Sequence, residues 1–225
     1  MRTRSLQAEL LDASHHDSDE LSHSLDQVAQ VNRWLGGTRA LRRHLAAWLP
    51  VLPTARILDV GTGNGITLRE VTSWALDRNR SWTGVGVEIG RQTAALARDA
   101  GATVVLGDAL RLPFADASFD LSLCTLTLHH FPDDEAVRLV REMRRVTRCV
   151  VLVNDLERTR LNYLGARALA ATLWRGNRLT RNDGPLSVRR SFTASELGDV
   201  GVRAGLSEVR VRRHFPWRVV LEGRP

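Results

Sequence analysis

The spacing of apolar positions changes character once along the chain. Up to about residue 55 they recur at helical intervals. In LDQVAQVNRWL, Leu25, Val28, Val31 and Leu35 fall three and four apart, and Gly36-Gly37 stop the pattern. A second helix, TRALRRHLAAWL, ends before Pro50, because the residue ahead of a proline avoids helical backbone. From residue 56 onward, short apolar runs alternate with longer amphipathic stretches. The runs are RILDV (56–60), WTGVGVE (82–88), ATVVLG (102–107), FDLSLC (119–124) and RCVVLVN (148–154). Near-continuous apolar strands separated by helical segments predict a mostly parallel sheet covered on both faces. GITLREVTSWALDR, GRQTAALARDAG and DDEAVRLVREMRRVT are the crossover helices. The last opens with acids and closes with arginines, as the helix dipole favours.

Beyond the fifth run, RLNYLGARALAATLW predicts a helix and RGNRLTRNDGPLSVRRS (175–191) a polar loop. FTASELGDVGVRAG is a helix with a Thr193-x-x-Glu196 capping box and a Gly205 stop. SEVRVRRHF and WRVVLEG are close enough to form an antiparallel pair that finishes the sheet. The expected architecture is α/β and Rossmann-like, a single domain over residues 1–225. Residues 1–54 form an N-terminal helical cap, 55–155 the core, and 156–225 the substrate-side helices and final strands.

Composition bounds this picture. A chain of 225 residues that is 43% hydrophobic can bury one substantial core. No apolar run approaches the roughly 20 residues that span a bilayer. MRTRSLQAELLDASHHDSDE lacks the apolar region of a secretory leader, so a cytoplasmic protein with no membrane partner is expected. Cys124 and Cys149 are far apart without a CxxC spacing, which argues against a disulfide framework or a structural zinc site. The net charge is +7, carried by 32 arginines and no lysine. The sign is uneven: residues 1–137 hold 13 Arg against 17 acids, and residues 138–225 hold 19 against 8. The C-terminal third therefore carries a positive field that can steer an anionic substrate or an acidic partner. Aromatics are not interleaved with these arginines as base stacking requires, so nucleic acid is not the expected partner. Nothing in the sequence fixes an oligomeric state.

The candidate chemistry starts at ILDVGTGNG (57–65), a strand running into a glycine-rich turn and then a helix. A helix N-terminus behind such a turn offers unsatisfied amides to an acidic group. The dinucleotide fingerprint G-x-G-x-x-G/A fails here, because its last position is Ile66. The spacing present is G-x-G-x-G, with Asp59 before it at the strand end. Glu88 ends the next strand, where both carboxylate oxygens can grip a ribose diol. Asp108 ends the one after, where it can accept from an exocyclic amine. Three acids at the carboxyl ends of successive strands line one crevice and describe a nucleoside that need not carry phosphates.

In this order the motifs resemble those of the class I S-adenosylmethionine-dependent methyltransferases. ILDVGTGNG is similar to their first motif, VGVEIG to the acidic second, GDALRLPFADASFDLSLCTLTLHHF to the third and fourth, and REMRRVTRCVVLVND to the helix and strand that follow. The resemblance covers about residues 55–155 and implies the seven-stranded Rossmann-like fold of that class, with S-adenosyl-L-methionine as cofactor. It implies that Asp59, Gly61 and Gly63, with Thr62 and Gly65 in the same turn, meet the amino-acid part of the cofactor. Glu88, followed by Ile89, meets the ribose, Asp108 and Ala109 the adenine, and Cys124 lies beside the methionyl end. One departure is that the family's R-V-L-x-P-G-G turn before the fifth strand reads RVTRCVV here, which shortens that turn. The LHHF stretch and the size resemble small-molecule methyltransferases of ubiquinone and menaquinone biosynthesis and of polyketide tailoring. The implied activity is O-methylation of a phenolic, quinol or polyketide-like small molecule. Two alternatives stand beside it: methylation of RNA or a carrier-bound substrate, and a non-catalytic accessory subunit that binds the cofactor.

Methyl transfer of this kind is an in-line displacement, so the protein must align the reactants, exclude water and remove the nucleophile's proton. His129 and His130, just past the fourth strand, are the catalytic candidates, since an imidazole suits the proton of a phenol or enol. One ring is expected to face the pocket and the other the protein. A metal is not expected, because adjacent residues in extended chain point to opposite faces, and Asp133 and Asp134 serve a helix start. Asn154, Asp155 and Arg158 follow the fifth strand, and a helix cap is the ordinary role for Asp155. Trp34, Asn154, Arg158 and Tyr163 are the substrate-side candidates, and Trp174 sits among the covering helices. Arg189 and Arg190 could hold a carboxylate or lie in a solvated loop.

Overall fold

The five apolar runs form five parallel strands, and a sixth and seventh complete one sheet. The computed structural model describes residues 1, 3–13 and 15–225. The strands are β1 (Thr54–Val60), β2 (Ser81–Glu88), β3 (Val104–Leu106), β4 (Phe119–Thr125), β5 (Thr147–Leu156), β6 (Ser207–His214) and β7 (Arg218–Arg224). Their order is β3-β2-β1-β4-β5-β7-β6, with β7 antiparallel to both β5 and β6. The chain direction reverses its march across the sheet between β2 and β4, on either side of β1, which leaves a crevice outside their carboxyl ends.

Eight α-helices flank the sheet among the described residues: α1 (Ser18–Trp34), α2 (Gly37–Leu45), α3 (Ile66–Leu76), α4 (Arg91–Asp99), α5 (Asp133–Val146), α6 (Arg160–Ala171), α7 (Arg178–Arg190) and α8 (Ala194–Arg203). Alternation along the strands gives each face its own core. Ile57, Leu121, Leu123 and Leu152 pack with Leu41 and Leu45 of α2 and Leu68 and Val71 of α3. Leu58, Val60, Val151 and Val153 pack with Val140 and Met143 of α5 and Leu197 of α8. Each fully buried Leu, Ile or Val contributes about 1.5–3 kcal/mol, so the two layers hold the sheet rigid from both sides. No helix among the described residues is long and apolar enough to cross a membrane.

Several expectations hold in detail. The Thr193–Glu196 capping box is present, and Gly205 takes a left-handed φ of 83° just past α8. Asp133 and Asp134 lie in the first turn of α5. The shortened turn before the fifth strand has become no turn at all: Val146 ends α5 and Thr147 begins β5. The Thr147 hydroxyl sits 2.6 Å from the Met143 carbonyl and 2.8 Å from Ser122 Oγ, which pins the junction.

Two expectations are corrected. The described residues ahead of Ser18 are not α-helical. They run as an extended strap with one 3₁₀ turn, Leu10–Asp12, and lie against α7: Ser5 N–H donates to the Arg189 carbonyl, and Leu10 and Leu11 N–H donate to Asp183. That stretch has no apolar stripe to drive a helix, so polar contacts with α7 set its path instead. Residues 175–191, expected as a loop, contain α7. Asn177 caps it by accepting from Leu179 and Thr180 N–H, and Leu179, Leu186 and Val188 are buried. The N-D-G-P string that suggests a turn is tolerated for a packing reason. A Cβ on Gly184 would stand 2.3 Å from the Trp174 ring, so the glycine lets α7 approach that indole.

Candidate active site

A cavity of about 850 Å³ opens at the carboxyl edge of the sheet and runs beneath α1, α6 and α7. One end is built from the strand termini. Gly61 has φ 68° and Gly63 φ 57°, left-handed values that glycine adopts without strain. A Cβ on Gly61 would stand 2.3 Å from Thr127, whereas one on Gly63 would meet only Leu25 at 4.0 Å and fill the cavity instead. Gly61, Thr62 and Gly63 line the cavity; Gly65 is spent on packing, its missing Cβ facing Ala102 at 2.7 Å.

Asp59 is buried beneath this turn. Its Oδ2 accepts from Thr62 Oγ1 at 2.8 Å, and its Oδ1 has no partner among the described residues. Burial pushes the carboxyl up to about 7, against the Thr62 hydrogen bond and with help from the negative charge of Glu88. Glu88 is pinned at the cavity wall by three amides. Oε2 accepts from Gly63 at 3.1 Å, and Oε1 from Ile89 at 2.9 Å and Gly90 at 3.0 Å. Burial also raises this carboxyl, with the amides opposing. Ile89, Asp108 and Ala109 continue the wall, and Asp108 Oδ1 accepts from Leu110 N–H at 2.8 Å.

The donor set fits a nucleoside carrying an amino acid. An orphaned buried carboxylate oxygen on Asp59 lacks the cationic partner that an α-amino group would supply, and a second orphan, Thr125 Oγ1, sits in the cavity wall. Oε2 of Glu88 accepts from one amide only and so keeps acceptor capacity for a diol hydroxyl, whereas Oε1 already accepts from two.

The other end is assembled from distant parts of the chain. After β4, Leu128–His130 form a 3₁₀ turn rather than extended chain. The rings of His129 and His130 therefore stack, with centroids 4.4 Å apart and planes 30° apart, and both line the cavity. This corrects the expectation that the two point to opposite faces. His129 is 3% exposed. Its Nδ1 is 2.8 Å from Asp155 Oδ1, and its backbone N–H donates to Asp155 Oδ2 at 3.2 Å. His130 Nδ1 is 2.7 Å from Asp12 Oδ1. Burial works to raise both acids but their histidines prevail: Asp155 lies below the ordinary carboxylate range, and Asp12 falls to about 2.

Glu9, from the strap, faces both rings: Oε1 is 3.5 Å from His129 Nε2 and Oε2 is 3.9 Å from His130 Nε2. Ser187 Oγ donates to Oε1 at 2.9 Å, and Arg190 Nε stands 3.7 Å away. Burial lifts this carboxyl to about 7, against His130 and with Asp183 adding. Glu9, His129 and His130 bring three donor atoms within 4.8 Å of one another, which a transition metal could in principle use. The Arg190 guanidinium already stands 3.7 Å from Glu9 Oε1, a cation that would oppose a metal ion's charge there.

Between the two ends the walls are apolar, with Leu21, Leu25 and Val28 of α1 facing Leu169, Trp174 and Val188. Several sequence candidates fall outside them. Cys124 is fully buried in the core, and burial, with Asp155 and Asp59 adding, holds its thiol far above the ordinary value. Trp34 is 62% exposed at the end of α1. Asn154 is spent inside, donating to the Gly37 carbonyl at 3.1 Å. Arg158 is a buried fastener holding the Ser191 and Met1 carbonyls and Glu196. Tyr163 is half-buried on α6 and does not reach the wall. Asp155 caps no helix; Thr159 caps α6. Arg189 is exposed, while Arg190 is buried and holds the carbonyls of His129 and His130. Sequence reasoning missed Glu9, Thr125, Ser187 and Arg218, all of which line the cavity.

Comparison with known proteins gives a matching domain and a shared fold. Residues 58–149 match the family described as methyltransferase domain. Over 134 residues the chain is 39% identical to a demethylmenaquinone methyltransferase from a Roseiflexus species, covering 60% of this chain and 56% of that one. The chain thus spans about half the length of the curated relatives it matches. The fold is similar to a SAM-dependent methyltransferase from Aquifex aeolicus, with TM-score 0.65 and 15% identity, covering 93% of this chain and 98% of that one. It is also similar to magnesium protoporphyrin IX methyltransferase from Synechocystis, solved with bound SAH, with TM-score 0.58 and 15% identity, covering 85% and 84%.

Proposed function

For a chain that carries a methyltransferase domain of the class I, S-adenosylmethionine-dependent kind, we propose methyl transfer to an oxygen of a small, largely apolar molecule of phenolic, quinol or polyketide-like type. The observation that carries this is the layout of one cavity. A nucleoside-shaped set of donors and acids stands at one end, a carboxylate-held histidine at the other, and apolar walls lie between them. The demethylmenaquinone enzymes among the relatives support an acceptor of quinol type.

When bound, S-adenosylmethionine supplies a methyl group activated by a positively charged sulfur. Asp59 and the Gly61–Gly63 turn would hold its amino-acid part, Glu88 the ribose, and Asp108 with Ala109 the adenine. Asp155 fixes the His129 tautomer: Nδ1–H donates to the carboxylate, so Nε2 keeps its lone pair toward the cavity. Nε2 takes the acceptor's proton, and Asp155 and Glu9 stabilise the imidazolium that results. His130, held by Asp12, stacks on that ring and keeps it from turning. The α1 and α7 walls exclude water from the reacting oxygen.

Calorimetry with S-adenosylmethionine and S-adenosylhomocysteine, followed by a mass-shift screen of phenols and quinols, tests this. One-to-one binding and a 14 Da gain on an oxygen, the mass of an added CH2 unit, are the expected results. Folded protein that binds neither cofactor form, and is unaffected by Asp59→Ala, would sink the proposal.

A further inference from the structure

Arg218 is the largest of the fully buried side chains, at 1% exposure. It is the first residue of β7. Because β7 runs antiparallel, its start lies beside the end of β5, with Arg218 opposite Leu156 and Val219 opposite Asp155. That register brings a guanidinium to the same sheet edge as the carboxyl ends of the parallel strands. It lines the cavity with Leu156, Asn162, Ala166 and Trp217.

This cation has little to answer it. Neither Nε nor Nη1 has a hydrogen-bond partner among the described residues. Asp155 is the acid whose charge it feels, but that carboxylate is committed to His129 N–H, His129 Nδ1 and Leu156 N–H. Asn162, which lines the same cavity, donates instead to the Glu157 carbonyl. Arg213, on the neighbouring strand β6, is already paired with Glu157 at 2.6 Å. Burying an ionised group without a hydrogen-bonded counter-charge is strongly unfavourable, so a guanidinium left in this state marks a position that a ligand can complete. Its planar fork matches a planar two-oxygen anion, which it can hold by two parallel hydrogen bonds.

We propose that Arg218 is the acceptor's anion site, and that the natural acceptor is an apolar hydroxy acid whose carboxylate pairs with Arg218 while its hydroxyl meets His129. The assignment rests on the methyltransferase reading for the role of the hydroxyl. The short path from Arg218 through Asp155 to His129 means that both oxygen groups belong to one compact molecule. The apolar walls take its ring or chain, and the positive field of the C-terminal third favours its entry.

Binding of a matched pair of probes, 3-hydroxy-2-naphthoate and its primary amide, to protein loaded with S-adenosylhomocysteine tests the site by calorimetry. The two share shape and differ in charge. The acid is expected to bind about tenfold or more tightly than the amide, and Arg218→Gln to weaken the acid by roughly 30-fold or more while leaving the amide unchanged. Arg218→Lys, which keeps charge without the fork, should fall between. Equal binding of acid and amide, no binding of the acid by folded protein, or an acid preference that survives Arg218→Gln overturns the proposal. Because no methyl transfer is measured, loss of S-adenosylhomocysteine binding would count against the cofactor reading alone.

Discussion

The two ends of the cavity are built by opposite means. At the end proposed for the cofactor, Asp59, the glycine turn, Glu88 and Asp108 lie on consecutive strand ends within fifty residues, and backbone amides hold Glu88. At the end proposed for the acceptor, Glu9, His129, Asp155, Ser187 and Arg218 come from five separate segments, and most of their contacts are between side chains. A rigid sheet fixes the first. The second depends on how a strap, a 3₁₀ turn and two helices pack on that sheet. Sites of the first kind keep one ligand, whereas sites of the second change ligand by substitution of a few side chains.

The sharpest way to separate the ends is His129→Ala. Loss of the base should lower kcat by about a hundred- to ten-thousand-fold, while calorimetric affinity for S-adenosylmethionine stays within error. Full turnover by this variant would remove His129 from the chemistry and make the acceptor end a binding wall only.

Asp59→Asn probes the other end. Losing a hydrogen bond to a charged group should weaken cofactor binding by about 10- to 100-fold, without changing which acceptors bind. Its pH dependence gives a second readout. In the ligand-free fold Asp59 is raised from 3.8 to about 7, so it holds its proton more tightly than in the unfolded chain. The stability this brings is complete below pH 3.8 and is lost as pH rises through about 7. A cofactor with a cationic amino group selects the ionised form, so wild-type affinity should fall as pH drops below about 7, by about tenfold per unit at most. Denaturant melts and calorimetry across pH 5–8 check both slopes, which the variant should flatten. A slope unchanged in Asp59→Asn would assign the titration elsewhere.

Gly184→Ala is the mildest of the three. A Cβ 2.3 Å from Trp174 forces the indole or α7 to move, costing about 1–3 kcal/mol. Acceptor binding should weaken and cofactor binding should not. A thermal melt beside the two titrations shows whether the strain stays at the acceptor end.

The same contrast explains what could be read from the sequence. Five apolar runs and a glycine turn carry local periodicity and local backbone demands, so the parallel sheet and the placing of Gly61, Gly63, Glu88 and Asp108 at the strand ends along the cavity were legible in the sequence. Cys124 was placed one layer too shallow, because its neighbour Thr125 is the residue that turns toward the cavity. The histidine pair was found, but the orientation of its rings depends on a 3₁₀ turn that three residues do not announce. Glu9 lies in a stretch without periodicity. Arg218 escaped because attention to carboxyl ends of strands passes over the first residue of an antiparallel one. Trp34, Asn154 and Arg158 sit close in sequence to the right elements, yet they go to solvent, the interior and a fastening contact, and Tyr163 is half-buried on α6 away from the cavity lining.

The strap also sets an order of events. Arg4 reaches the Phe131 carbonyl and Asp133, Ser5 reaches Arg189, and Glu9 reaches Ser187, so contacts made by the first dozen residues span up to 186 positions of chain. Closing loops of that length comes after local pairing, and a segment held by polar contacts opens more readily than a buried strand. The protein is therefore expected to complete its cofactor end first and to seal its acceptor end last. In hydrogen exchange the amides of Leu10 and Leu11 should lose protection well before those of β1 and β4.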